Sequence, residues 1–399
     1  MSCAGGSSCE GRRVTQGRAN GEARLRHIDA LRAVAAMLVL WRHVADAYVN
    51  LGPGVSGRWL QSIAADFDFG RIGVVAFFMI SGFVIPFSIH PQRPAPAGTF
   101  LIRRFFRIYP AYWLSVPLAA LTSVWIWGGS FGLKAFLVNL TLLQDFFGVT
   151  PAEGVYWTLR VEWMFYLLCV GLLLLHSLGN ARRLFVVAAS LSALYVLEML
   201  LLWWNGRHFF GIEWTLTFLN LSLMFAGALY RKLVADGEWR ADPWLAAGFA
   251  GFLGGHLLVM PLVSAMAIGL RGNAIVVYAL GIALFIVGTS IVRIRSRLTD
   301  WLGRVSYSFY LFHPIVFMAL LWPLRRLPEA SWWRAQHLGV YLIANALLTA
   351  ALATLVFHWV ERPGIEIGRR LARRWVARRA APLDATGLAA SATLPEGKL

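Results

Sequence analysis

Along most of the chain, apolar residues run together in stretches of about twenty, separated by short polar segments. The hydrocarbon core of a bilayer is about 30 Å thick, and a helix needs roughly 20 mostly apolar residues to cross it. Windows of that kind fall near residues 29–51, 72–90, 108–127, 157–176, 184–204, 213–230, 244–262, 273–292, 305–324 and 336–359. The pattern therefore predicts an all-α fold, a polytopic transmembrane helical bundle of about ten helices.

Composition agrees with the pattern. Hydrophobic residues make up 58% of the 399 and charged residues 14%, with 18 tryptophans, whereas the apolar share of soluble domains is about half. Residues 1–28 are polar and rich in Gly, Ser and Arg. They lack the apolar run and small-residue cleavage site of a secretory signal, so the first helix is expected to stay as an anchor behind a disordered cytoplasmic N-terminus. Residues 29–361 form the transmembrane domain. Residues 362–399 are expected to be a basic, partly disordered cytoplasmic tail, since "PLDATGLAASATLPEGKL" offers few large apolar groups.

Charge orients the bundle. With alternating helices and a cytoplasmic N-terminus, 26 Lys and Arg fall on the cytoplasmic side and 8 on the other. The positive-inside rule then places both termini in the cytoplasm. The formal charge of +17 becomes a topological signal and a face toward anionic lipid, with no call for nucleic acid. Cys3, Cys9 and Cys169 show no ligand spacing, and the nine histidines include no i, i+4 pair, so no metal site is expected.

Ionisable residues inside spans are costly in hydrocarbon and mark sites facing the bundle interior. The first span, "IDALRAVAAMLVLWRHVADAYVN", carries Arg32 and His43 eleven residues apart. Eleven steps of about 100° return to nearly the same face, roughly 16 Å further along the axis. One helix side thus carries a cation near the cytoplasmic mouth and an imidazole deep in the membrane. The blander reading is that Arg32 snorkels to the interface and His43 bonds a neighbouring helix. Arg42 lies about 100° round from His43 and is open between counter-ion and functional roles.

The fourth span opens "VYWTLRVEWMFYLL" and sets Glu162 at a depth similar to that of His43. A carboxylate beside an imidazole raises its basicity and fixes its tautomer, as a general base requires. The alternative is a structural ion pair of Glu162 with Arg160 or Arg42. "FLIRRFFRIYPAYW" reads as a cytoplasmic loop in which Arg103, Arg104 and Arg107 stand among aromatics. Such guanidiniums suit a phosphate-bearing, partly flat ligand, or simply a positive-inside loop. Ser81 and Gly82 in "FFMISGFVI" suggest close helix approach, and His313 in "SYSFYLFHP" precedes a proline that frees backbone groups. Glu361 and Arg362 of "WVERPG" read as an interfacial lock.

Together, Arg32 with ten residues before His43, "FFMISGF", Arg104-x-x-Arg107, "WTLRVEWMFYL", "SYSFYLFHP" and the closing "ERP" resemble the acyltransferase-3 family of bacterial membrane acyltransferases, from about residue 27 to 363. The resemblance implies a multi-pass protein of the bacterial cytoplasmic (inner) membrane. It would move an acetyl or other short acyl group from acyl-CoA, acetyl-CoA foremost, to a sugar hydroxyl of a glycan or glycolipid acceptor. It carries the paired arginine and histidine over to Arg32 and His43, the cytoplasmic arginines to Arg104 and Arg107, with Arg103 beside them, and the acid to Glu162. The family pattern is nearer "WSLSVEEWFYL", so Arg160 and Trp163 depart from it and put the acceptor side in doubt. His43 would be the general base or a transient acyl carrier; Glu162 would orient it or hold the acceptor. Ser81, Trp157, Arg160 and His313 would line the substrate cavity. The rival is a glycan or lipid transporter or flippase whose buried His and Glu relay protons.

Overall fold

The computed structural model describes residues 6–268, 274–292, 294 and 296–380, and the closing stretch expected to be disordered lies outside them. Among the described residues the chain is an all-α bundle. Its long helices are α1 (Gly6–Tyr48), α2 (Phe69–Val84), α3 (Pro96–Leu121), α4 (Tyr156–Leu174), α5 (Ala181–Asn205) and α6 (Ile212–Tyr230). They continue with α7 (Pro243–Ile268), α8 (Ala274–Ile286), α9 (Arg297–Arg326), α10 (Leu338–Val356) and α11 (Arg362–Ala380).

The first ten helices take up the ten expected windows in order. Among the described residues seven segments are long and apolar enough to cross a membrane by themselves, and α8 is apolar but shorter. The apolar half of α1 carries Arg32, Arg42 and Asp46 instead. Large apolar side chains such as Trp204 (80% exposed), Trp244 (87%) and Trp359 (79%) point outward, as lipid-facing and interfacial aromatics do.

Three boundaries differ from expectation. The helical backbone of α1 starts upstream of residue 29, within the segment expected to be disordered. α3 begins at Pro96, so Arg103, Arg104 and Arg107 stand on a helix and not in a loop. Proline is well suited to a first helical turn, where its missing N–H costs nothing, and the Arg, Phe and Leu that follow sustain the helix. Half of the expected tail is likewise helical, as α11.

α1 is the central element, packed against α2, α9 and α10, while α2 also meets α6 and α8. Glycines set the closest crossings. A Cβ at Gly82 would overlap the Met224 carbonyl, and one at Gly227 would overlap the Met79 carbonyl. α2 and α6 thus exchange reciprocal backbone contacts, the close approach that small residues permit in a bilayer. Gly82→Ala and Gly227→Ala are each expected to cost about 1–3 kcal/mol through overpacking. A lowered thermal midpoint in detergent checks this, and an unchanged midpoint in both would refute the crossing.

Candidate active site

Helix α9 contains Pro314, which has no N–H to give to the carbonyl four residues back, that of Tyr310. That carbonyl accepts instead from His313, with Nδ1 2.7 Å from the oxygen. His313 Nε2 lies 2.8 Å from His43 Nδ1 on α1. The two rings are nearly parallel, 12° apart with centroids 5.1 Å apart, and Phe317 flanks both. A carbonyl can only accept, so His313 carries its proton on Nδ1 and its neutral Nε2 accepts from His43 Nδ1–H. The lone pair of His43 is then on Nε2.

His43 lines an outer cavity of about 330 Å³ together with Arg42, Asp46, Asp68, Arg71 and Trp157. The charges there are paired. Arg42 forms an ion pair with Asp46 one turn on, which gives Arg42 the counter-ion arrangement left open in the sequence. Arg71 Nε is 3.2 Å from Asp68.

A second, narrow cavity of about 60 Å³ holds Arg32, Ser81 and Glu162, with Thr158, Tyr307 and Tyr310. Val74 and Tyr310 line both it and the outer cavity. Glu162 accepts a hydrogen bond from Tyr166 Oη at 2.6 Å. The partner that orients His43 is therefore His313, whereas Glu162 belongs with Arg32 in the adjoining space. Helical depth placed Glu162 and His43 at one level, but the rotation of α4 about its axis sends the carboxylate elsewhere.

The third cavity, about 240 Å³, is basic: Arg93, Arg103, Arg104, Arg107 and Arg369 line it. Arg104 donates to Ser88 Oγ at 2.8 Å and stands over the rings of Phe100 and Tyr166, 5.3 Å from each centroid. Arg107 stands over Tyr307 at 5.7 Å and forms an ion pair with Glu361. Glu361 also accepts from Ser308 Oγ at 2.6 Å. The expected lock at "ERP" thus exists with a different partner, since Arg362 turns to Glu366 at 3.3 Å. A π-turn, Phe357–Glu361, joins α10 to α11 and delivers the Glu361 carboxylate inward. Tyr166 and Tyr307 stand between the basic and narrow cavities, so the order is basic, narrow, outer.

Arg160 lies apart from all three. Buried at 6% exposure, it pairs with Asp145 and, at 2.9 Å, with Glu213. With Phe146 and Trp214 these line a separate pocket of about 30 Å³. The departure from the family pattern at Arg160 is thereby compensated by two acids distant in sequence, which no local motif announces. The second departure, Trp163, stacks edge-on among Phe105, Tyr109 and Tyr166.

In the loop before α4, next to the Gly154 and Val155 of the outer cavity, burial pushes the Glu153 carboxyl up to about 7, with a smaller opposing pull from the Gly154 N–H. A carboxyl whose folded pKa is raised contributes stability that is fully present below its unfolded value, about 4.5, and lost as pH rises through about 7. Glu153→Gln is expected to match the wild type in thermal midpoint near pH 4.5 and to exceed it increasingly toward pH 8. A midpoint difference independent of pH would contradict the assignment.

Both fold and site fit a membrane-embedded acyltransferase. Residues 25–359 match the acyltransferase-3 family, described as an acyltransferase domain, and the chain belongs to that family. Among its relatives, Nodulation protein 10 of Rhizobium leguminosarum bv. viciae is 27% identical, across 87% of this chain and 95% of its own. Exopolysaccharide production protein ExoZ of Rhizobium meliloti is 31% identical, across 78% and 94% respectively. Peptidoglycan O-acetyltransferase OatA of Listeria monocytogenes is 24% identical across 84% of this chain, which spans 55% of that longer protein. No solved structure matches the chain.

Proposed function

We propose that the protein is an acyl-CoA-dependent O-acyltransferase that places an acetyl or other short acyl group on a sugar hydroxyl of a glycan or glycolipid. Its basic end would face the cytoplasm of a bacterial inner membrane. The single observation that carries this reading is the His43–His313 pair at the outer cavity, which shares Val74 and Tyr310 with the narrow cavity, while the basic cavity lies on the far side of Tyr166 and Tyr307. The relatives support the acceptor class, since one is named for exopolysaccharide production and another for peptidoglycan O-acetylation.

In this reading the donor's phosphates lie against Arg104 and Arg103, while the acylated arm passes Arg107 and Arg32 toward His43. Ser81 and Glu162 flank the passage. The acceptor occupies the outer cavity, where Trp157 offers a ring face and Asp68 and Asn220 offer hydrogen-bond acceptors. His43 Nε2 takes the hydroxyl proton as the oxygen attacks the thioester carbonyl; the carbon–sulfur bond breaks, and the proton goes to the departing thiolate. Charge gained by His43 spreads to His313, because the Nδ1–H of the first ring is hydrogen-bonded to the Nε2 of the second. A direct transfer of this kind passes through a ternary complex, with no acyl group held by the enzyme.

Purified protein in lipid discs, given labelled acetyl-CoA and a glycan acceptor, is expected to transfer label. His43→Ala should lower kcat by roughly 10²–10⁴-fold, the usual worth of general-base catalysis. His313→Asn should lower kcat roughly 10-fold to 100-fold with KM nearly constant, as orienting partners of reactive imidazoles do. Undiminished transfer by folded His43→Ala protein would remove His43 from the mechanism, and labelled His43 in a donor-only incubation would replace direct transfer with an acyl-enzyme.

A further inference from the structure

The basic cavity is completed by a helix that lies beyond the family domain. The family match ends at residue 359, and α11 begins at Arg362. Gly364 and Gly368, one turn apart, set the backbone of α11 directly on α3. A Cβ at Gly364 would lie 2.7 Å from Pro110 Cγ and 3.0 Å from the Phe106 carbonyl oxygen. One at Gly368 would lie 2.6 Å from Phe106 Cβ. Further along, Trp375 packs over Gly98. This is the small-xxx-small spacing of close helix pairs, and it fixes the rotation of α11 about its axis. Ile365 and Arg369, four residues apart and so on one face, then form part of the cavity wall.

The cavity's charges are unbalanced. Arg107 pairs with Glu361, but Arg93, Arg103, Arg104 and Arg369 converge with no carboxylate among the described lining side chains. Converging guanidiniums repel one another, and an anion placed between them relieves the repulsion; planar guanidinium forks match phosphate oxygens two at a time.

We propose that Arg369 is a phosphate-binding residue of the basic cavity, so that α11 is part of the ligand site and no mere tail. The ligand is an organic phosphate, a chemistry shared by the diphosphate of the acyl donor and by a phospholipid headgroup. The donor assignment rests on the function proposed above; the phosphate site itself does not.

The full chain in phosphatidylcholine discs, titrated with inorganic pyrophosphate and with coenzyme A, tests this. Arg369→Ala is expected to weaken both about tenfold, the worth of one charge-assisted contact, and Arg369→Lys to recover part of the loss. Arg374→Ala, exposed on the same helix and outside the cavity wall, should bind as the wild type does. In acyl transfer, Arg369→Ala should raise the donor KM and leave kcat unchanged. Equal pyrophosphate, coenzyme A and phosphatidylglycerol binding by folded Arg369→Ala protein overturns the proposal. Loss of phosphatidylglycerol retention alone upholds a phosphate site and assigns it to lipid. A wild type that binds pyrophosphate yet consumes no acyl-CoA defeats the enzymatic reading and leaves the phosphate site standing.

Discussion

Much of the site depends on one backbone carbonyl. In an unbroken helix the Tyr310 oxygen would accept from residue 314, but a proline there leaves it without that donor in a buried stretch of α9. His313 Nδ1 supplies the missing proton, which commits the other nitrogen of His313 to accepting and in turn commits His43 Nδ1 to donating. A helix break thus sets the tautomer of a ring on another helix. Removing a buried polar group from such a chain would leave the next one unpaired, and unpaired buried groups are expensive. The arrangement is rigid for that reason, and it leaves the His43 lone pair on Nε2.

The distribution of arginines follows from the cost of burying charge. A guanidinium taken from water needs a close anion or a face of aromatic density. Arg42 has Asp46, Arg107 has Glu361 and Tyr307, and Arg160 has Asp145 and Glu213. The residues left with aromatic or polar neighbours, Arg104 above all, line a cavity. Pairing state therefore separates the arginines held by acids from Arg104, whose neighbours are aromatic or polar, a distinction that residue type alone does not make.

The sequence by itself located the ten apolar spans that the first ten long helices occupy. Runs of about twenty apolar residues have one low-cost arrangement in a bilayer, and that requirement is local. It also showed that Arg32 and His43 share a side of α1, because spacing along one helix is fixed by its pitch. The motif set from "FFMISGF" to "ERP" named the family.

Tertiary structure decided which side chains meet. His43 and His313 are 270 residues apart, and Arg107 and Glu361 254; whether such groups touch depends on the rotation of each helix, which tight glycine crossings such as Gly82 on α6 and Gly368 on α3 set. That is why depth alone mispaired Glu162 with His43, why Arg160 looked like a substrate residue until Asp145 and Glu213 came into reach, and why α11 read as a tail. Periodicity reports a helix and its face, but the azimuth of that face against its neighbours is a property of the packed bundle.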